Sequence, residues 1–183
     1  MGNVIIGATL SLDGFMNDRN GDVSRLYPDL EALHETEMLQ EEIKTTGAVV
    51  MGRRAYDMAQ GDLTDYEYQV PIFVLTHHVP ETAIKGENDR LTVTFVTDGI
   101  ESAIEKAKAA AGDKQVTVVG GAQTAQQCLR AGLVDEIRLG IVPIFIGEGL
   151  RFFEPLVNAQ TELERTRVFV SPTRTDLWFR VVK

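Results

Sequence analysis

The chain has 183 residues, 44% of them hydrophobic and 25% charged. That is the profile of an ordinary globular protein, long enough to bury about 70% of its unfolded surface as one domain over 1–183. A formal net charge of −9 argues against non-specific binding to nucleic acid or an anionic membrane, though a few placed arginines suffice for a small anionic ligand. The single cysteine, Cys128, excludes an internal disulfide framework and no Cys/His spacing suits zinc. With neither a signal peptide nor an apolar run of about 18 residues, a cytoplasmic location is expected.

Strand-like and helix-like segments alternate without repeats or linkers. Val4 to Leu10 reads as an apolar strand. Ser11 to Tyr27, with Gly14, Gly21, Asp13, Asp18 and Asp22, reads as a long polar surface loop, and loops of that length are often lids. Pro28 opens a predicted helix to about Lys44 with Leu30, Leu33, Met38 and Ile43 in its apolar stripe. Asp29 and Glu31 suit its first turn, and Glu35, Glu37, Glu41 and Glu42 read as a solvated face. Ala48–Met51, Pro71–Thr76 and Leu91–Val96 are expected strands, with a helix from Arg53 to about Ala59. Asp98 and Glu101 form a capping-box-like start for a helix through Ala111, which Gly112 stops. Gln115–Val119 is a buried strand, and the helix after it ends at Gly132. Val134–Ile144, Glu162–Val170 and Asp176–Val182 complete the strands, the last two joined as a hairpin through Ser171-Pro172-Thr173.

Strands joined through helices need crossovers, so the central sheet should be mainly parallel with an antiparallel hairpin at its edge. Within it, two strand-to-helix junctions stand out. Val119-Gly120-Gly121-Ala122 removes Cβ atoms where a helix begins, so backbone N–H groups and the helix dipole can receive a phosphate. Val50-Met51-Gly52-Arg53-Arg54 repeats the design with two cations. Either junction alone is also compatible with a tight turn. Together they suggest a pyrophosphate-bearing cofactor, although Gly-x-Gly-x-x-Gly is absent after the first strand.

In order, Ser11-Leu12-Asp13-Gly14, Val50-Met51-Gly52-Arg53-Arg54-Ala55-Tyr56, Val74-Leu75-Thr76, Val119-Gly120-Gly121-Ala122 and Pro143-x-x-x-Gly147-x-Gly149 resemble the dihydrofolate-reductase-like superfamily. More narrowly, the chain is similar to the branch related to the reductase domain of bacterial riboflavin biosynthesis, the RibD C-terminal domain. The resemblance covers nearly the whole chain. It implies a three-layer α/β/α fold with a mixed, mainly parallel sheet of about eight strands, NADPH bound across the strands' C-terminal edges, and a homodimer using the late strands. Gly52, Arg53 and Arg54 would then face the cofactor phosphates, where an arginine fork makes charge-assisted bonds. Arg54 could instead pair with the acidic helix. The family usually has a hydroxyl residue where this chain has Ala55. Thr76 and His77 fall beside the adenosine ribose, where a 2′-phosphate is read, while a polar turn is the other account of the His77-His78 pair. Gly120, Gly121, Ala122, Gln123 and Thr124 would wrap the pyrophosphate, and the backbone of Gly7-Ala8-Thr9 would meet the carboxamide. Cys128 has the spacing of a core residue.

Hydride transfer requires a positioned ring, exclusion of water and a proton source. Asp13 is the preferred residue for orienting the substrate or the lid, with turn formation as the alternative. Asp29 lies near the place where the folate enzymes carry a pterin-binding carboxylate, yet also fits a helix start. Glu148 between two glycines either reaches the pocket or marks a surface turn. The resemblance therefore implies an NADPH-dependent reductase of a small planar heterocycle, pterin-like or ribosylaminopyrimidine-like, and the acidic net charge leads us to expect no membrane or nucleic-acid partner. The competing readings are a non-catalytic NADP(H)-binding or sensing protein and a partner-binding protein using the acidic helix.

Overall fold

The computed structural model describes residues 2–81, 84–153 and 161–183. Among the described residues, ten strands and five α-helices follow in chain order: β1 (Val4–Ser11), β2 (Phe15–Asp18), α1 (Leu30–His34), α2 (Glu37–Thr45), β3 (Thr46–Gly52), α3 (Arg53–Met58), β4 (Ile72–Leu75), β5 (Val93–Val96), α4 (Ile100–Ala111), β6 (Gln115–Val119), α5 (Ala122–Arg130), β7 (Glu136–Val142), β8 (Gly149–Arg151), β9 (Leu163–Val170) and β10 (Thr175–Val181).

Eight strands form one sheet in the order β5-β4-β3-β6-β1-β7-β10-β9. The first six run parallel, while β10 and β9 are antiparallel, as expected for a hairpin added at an edge. The strand period of two explains why the central strands read as continuous apolar runs. In β3, Ala48 and Val50 enter one core with α4 and α5, whereas Val49 and Met51 enter another with Tyr56, Tyr68, Ile72 and Val74. Both faces are therefore covered. Cys128 lies in the first core, and burial pushes its thiol up to about 12.

Four local expectations are corrected. The 11–27 segment is not wholly loop, because β2 pairs antiparallel with β8, and Ser24–Leu26 is a 3-10 turn that buries Leu26 completely. The Arg151 guanidinium lies 4.3 Å from the Phe15 ring centroid, a contact from the far end of the chain that no local pattern encodes. The helix expected over 28–44 is two helices. Thr36 interrupts it by donating to the Leu33 carbonyl and accepting from the Leu39 N–H, a side-chain cap that starts α2.

Asp98 forms no capping box. Its carboxylate accepts from Ser102 Oγ and Lys106 Nζ, and the helix starts from Gly99 at φ 105°. Finally, Glu42 leaves the solvated face. It accepts from the Tyr68 hydroxyl at 2.8 Å and from Arg138 Nη1 at 3.3 Å. Gly112, at φ 63°, ends α4 as its position in the sequence requires.

Among the described residues, no helix is long and apolar enough to cross a membrane.

Candidate functional site

Because β4, β3, β6 and β1 are parallel neighbours, Thr76, Gly52, Gly120 and the end of β1 lie on one edge of the sheet. There the two glycine junctions meet. A Cβ on Gly52 would stand 2.5 Å from Thr124 Oγ1, and one on Gly121 would stand 3.8 Å from the Gly52 Cα. A Cβ on Gly120 would stand 2.9 Å from the Ala55 methyl. Gly120 and Gly121 also adopt φ of 69° and 79°, a region that L side chains disfavour. The start of α3 and the start of α5 thus sit against each other with almost no side-chain volume between them. Thr124 is 4% exposed, and no described residue hydrogen-bonds its hydroxyl.

Around this cradle, Arg54 is exposed and Arg53 is partly committed, Nε to Asp57 at 2.7 Å and Nη1 to the His78 carbonyl at 3.2 Å. Thr76 is buried and donates to the His78 carbonyl at 2.8 Å, which fixes the turn carrying His77. Ala122 is buried at the start of α5 and Gln123 beside it is exposed.

A cleft of about 200 Å³ opens on the sheet face covered by α1 and α2. Its floor follows from register. Asp176, Gly140 and Thr9 form one cross-strand row over β10, β7 and β1, and Trp178, Arg138, Gly7 and Val119 form the next. Leu30, Leu33, Met38 and Leu39 supply an apolar wall, and Tyr27 and Tyr68 also line the space. The apolar stripe expected of the first helix therefore survives the break at Thr36, with Ile43 packing beneath it. Ala8 lies on β1 along the same cleft, next to the glycine edge.

Two arginines stiffen the floor. Arg138 bonds Glu136 at 2.7 Å, Glu42 at 3.3 Å and Gln115 at 3.4 Å, with its guanidinium 3.7 Å from the Trp178 ring centroid. Arg174, 4% exposed, bonds Asp29 at 2.8 Å, Thr9 Oγ1 at 3.3 Å and the Leu26 carbonyl at 3.4 Å.

Asp176 differs from the other buried charged groups here. It is 9% exposed and lines the cleft, yet its carboxylate makes no hydrogen bond or ion pair with any described residue. Burial pushes its carboxyl up to about 6; the Arg174 guanidinium opposes this, and the charges of Asp29 and Glu42 reinforce it. Gly140 makes the room. A Cβ there would lie 2.8 Å from Asp176 Oδ1, 3.3 Å from Arg174 Nη1 and 3.5 Å from Thr9 Oγ1.

The two carboxylates singled out from the sequence are not among the residues lining this cleft, and both are engaged by donors. Asp13 accepts from Ser11 Oγ at 2.6 Å and from the N–H groups of Ile146 and Gly147 at 3.1 and 2.7 Å. Burial would raise its carboxyl, but these donors more than offset it and hold it near about 2. The residue latches the turn after β1 to the 144–147 loop. Asp29 is not a side-chain cap of α1. Its carboxylate takes a short hydrogen bond from Thr173 as well as the Arg174 pair, and these hold it below the ordinary range against the opposing effect of burial. Glu148 is exposed and lies 3.9 Å from Arg19.

Sequence reasoning missed Asp176, Gly140, Arg174 and Trp178. Arg174, Asp176 and Trp178 do alternate at a strand's period, which places them on one face. Only pairing to Gly140 makes that face a pocket. Among the described residues, no group of three or more His, Cys, Asp or Glu is arranged to hold a metal ion.

The model of one protein family, the RibD C-terminal domain, matches residues 3–176. The uncharacterized protein YyaP of Bacillus subtilis is 26% identical over 175 residues, covering 92% of this chain and 89% of the relative. A putative riboflavin biosynthesis protein from Shewanella sp. PV-4 superposes with a TM-score of 0.78 at 23% identity, covering 99% of each chain. A diaminohydroxyphosphoribosylaminopyrimidine deaminase/5-amino-6-(5-phosphoribosylamino)uracil reductase from Thermotoga maritima gives 0.70 at 16%, with 99% of this chain matching 57% of that one. A dihydrofolate reductase from Enterococcus faecalis, complexed with NADP(H), gives 0.65 at 14%, covering 100% of this chain and 98% of the other. These structures share the dihydrofolate-reductase-like fold.

Proposed function

The chain belongs to the RibD C-terminal domain family, and from that premise we propose that it is an NADPH-dependent reductase acting on a small planar heterocycle. The observation that carries the reading is the convergence of Gly52, Gly120, Gly121 and Thr124 at one sheet edge, beside a cleft lined by Ala8 and Val119. Three glycines keep side-chain volume low where the two junctions meet, and two helix starts present unpaired N–H groups there.

On this reading Gly52, Arg53 and Arg54 face the cofactor phosphates. Gly120, Gly121, Ala122, Gln123 and Thr124 wrap the pyrophosphate, and Thr76 and His77 face the adenosine end. The backbone at Ala8 meets the nicotinamide carboxamide. Bound NADPH supplies a hydride. The protein supplies position and dryness: Leu30, Leu33, Met38 and Leu39 keep water from the acceptor ring, and the stacked Arg138–Trp178 pair stiffens the floor beside it.

Titration of the purified protein with NADPH, followed by nucleotide fluorescence, tests the first half. Saturable binding is expected, and its absence at high micromolar concentration removes the reading. Loss of reduced-nicotinamide absorbance on adding pterins, dihydrofolate or ribosylaminopyrimidines tests the second half. One observation favours a non-catalytic NADP(H)-binding protein instead, namely Ala55 in place of the family's hydroxyl residue. Tight NADPH binding without oxidation across that panel would support it. The proposal includes a homodimer. Its support is β9 at the sheet edge with Val168 and Val170 exposed, and light scattering of the purified protein reads the mass directly.

A further inference from the structure

We propose that residues 27–35 are a lid over the cleft, hinged at Tyr27 and Thr36 and held shut by the bonds that Asp29 accepts from Thr173 and Arg174. When the lid lifts, Asp176 answers the Arg174 guanidinium in place of Asp29. This goes beyond the reductase reading, because the movement belongs to the ligand-free chain.

The two helices over the cleft are attached in different ways. α2 is tied to three strands, through Glu42 to Arg138 of β7, Glu41 to Arg167 of β9 at 2.9 Å, and Thr45 Oγ1 to Gln115 of β6 at 3.2 Å. Ile43 anchors it further in the core beneath. By contrast, no residue from 27 to 35 is buried, and none belongs to either core. Among the described residues, Asp29 makes every hydrogen bond between this segment and the sheet or its last hairpin turn. The Tyr27 ring adds a contact 5.8 Å from the Arg174 guanidinium. A helix of five residues is too short to hold its own shape in water, so α1 depends on that attachment.

Both ends of the segment suit a hinge. Leu26 is completely buried and its carbonyl accepts from Arg174, which fixes the chain just before Tyr27, where φ is −127° and ψ is 56°. At Thr36 the backbone is extended, with φ −69° and ψ 139°, before α2 begins. Rotation at these two non-helical positions swings 27–35 without disturbing a strand. The shut lid leaves the floor out of reach of solvent, with Arg174, Trp178 and Asp176 all buried. Opening does not strand the guanidinium. One point, the place of a Cβ on Gly140, lies 3.3 Å from Arg174 Nη1 and 2.8 Å from Asp176 Oδ1, and Arg174 Nε is buried without a partner. Two acids within reach of one arginine thus give the lid two arrangements in which that charge is answered.

The test places a bimane label on the full-length protein at His34→Cys, an exposed lid position lining the cleft, while Cys128 is buried and does not compete. Trp178, the only tryptophan in the chain, lines the same cleft, and an indole quenches bimane at contact range. Asp29→Ala should raise the bimane emission by about twofold or more as the lid leaves the floor. Unchanged emission overturns the proposal. Adding Asp176→Asn to Asp29→Ala should then lower the urea midpoint, because Arg174 is left with neither acid. A raised or unchanged midpoint overturns the exchange of partners and the proposal with it.

Hydrogen exchange on the wild type guards against a misfolded variant. The Leu33 and Thr36 amides donate within the segment, to the Asp29 and Leu33 carbonyls at 2.8 and 3.1 Å. They should exchange through a local opening that low urea leaves unchanged, about a hundredfold or more faster than the amides of β1 and β6. Exchange of Leu33 only through global unfolding would equally overturn the lid. Neither measurement involves a nucleotide. Failure of NADPH to bind by calorimetry therefore removes the reductase reading alone, and a fixed 27–35 segment removes only this one.

Discussion

Asp176→Asn should stabilise the ligand-free protein near neutral pH, and the size of the effect follows from the site. The carboxyl has an ordinary value of 3.8 and stands at about 6 in the folded chain. Between these values the native state binds more protons than the unfolded one, so stability falls as pH rises and is flat above about 6. Roughly two pH units at about 1.36 kcal/mol each give about 3 kcal/mol lost by the wild type. Asparagine keeps the shape and removes the charge, so the variant does not suffer this loss. For a chain of this size about 3 kcal/mol corresponds to a midpoint higher by about 6–12 °C. Urea unfolding of both proteins at pH 8 and below pH 4 provides the assay. The two curves should separate at pH 8 and converge in acid. Equal separation at both pH values, or a wild type that is the more stable at pH 8, would refute the claim that burial without partners raises this carboxyl.

Other outcomes follow from the same geometry. Gly120→Ala forces a methyl against Ala55 at a left-handed φ, so it should lose about 1–2 kcal/mol of stability and bind NADPH at least tenfold more weakly by calorimetry. Ala55→Ser restores a hydroxyl beside the phosphate cradle and should tighten NADPH by about 5–30-fold, the equivalent of one hydrogen bond of about 1–2 kcal/mol. Gly140→Ala fills the depression at Asp176 and should lose about 1–3 kcal/mol of stability by urea unfolding while leaving NADPH affinity within about twofold. Cys128 should fail to react with a disulfide reagent at pH 8 until denaturant exposes it, since burial keeps it a thiol.

The elements that local pattern encodes were readable. Continuous apolar runs marked β1, β3 and β6, and Gly112 and Gly132 marked helix ends, because backbone sterics and strand periodicity act over a few residues. The glycine junctions were readable for the same reason, since a missing Cβ is visible in one letter. Elements whose partner lies far along the chain were not. β2 exists because Gly149–Arg151 pairs with it. The break at Thr36 is local but was hidden for another reason, since the same threonine hydroxyl can sit in a continuous helix or bond Leu33 and Leu39 and end one. Asp29 looked like a helix-start residue until Arg174, 145 positions away, took its carboxylate.

The sequence by itself thus determined a mainly parallel α/β sheet and two strand-to-helix junctions stripped of side chains, properties that arise from neighbours in the chain. Tertiary structure alone decided that those junctions touch, and which acid faces the cleft. Asp13 and Asp29 found donors, whereas Asp176 was left opposite a glycine with none. A carboxylate's chemistry depends on what surrounds it within a few ångströms, and in a sheet those surroundings come from strands far apart in sequence.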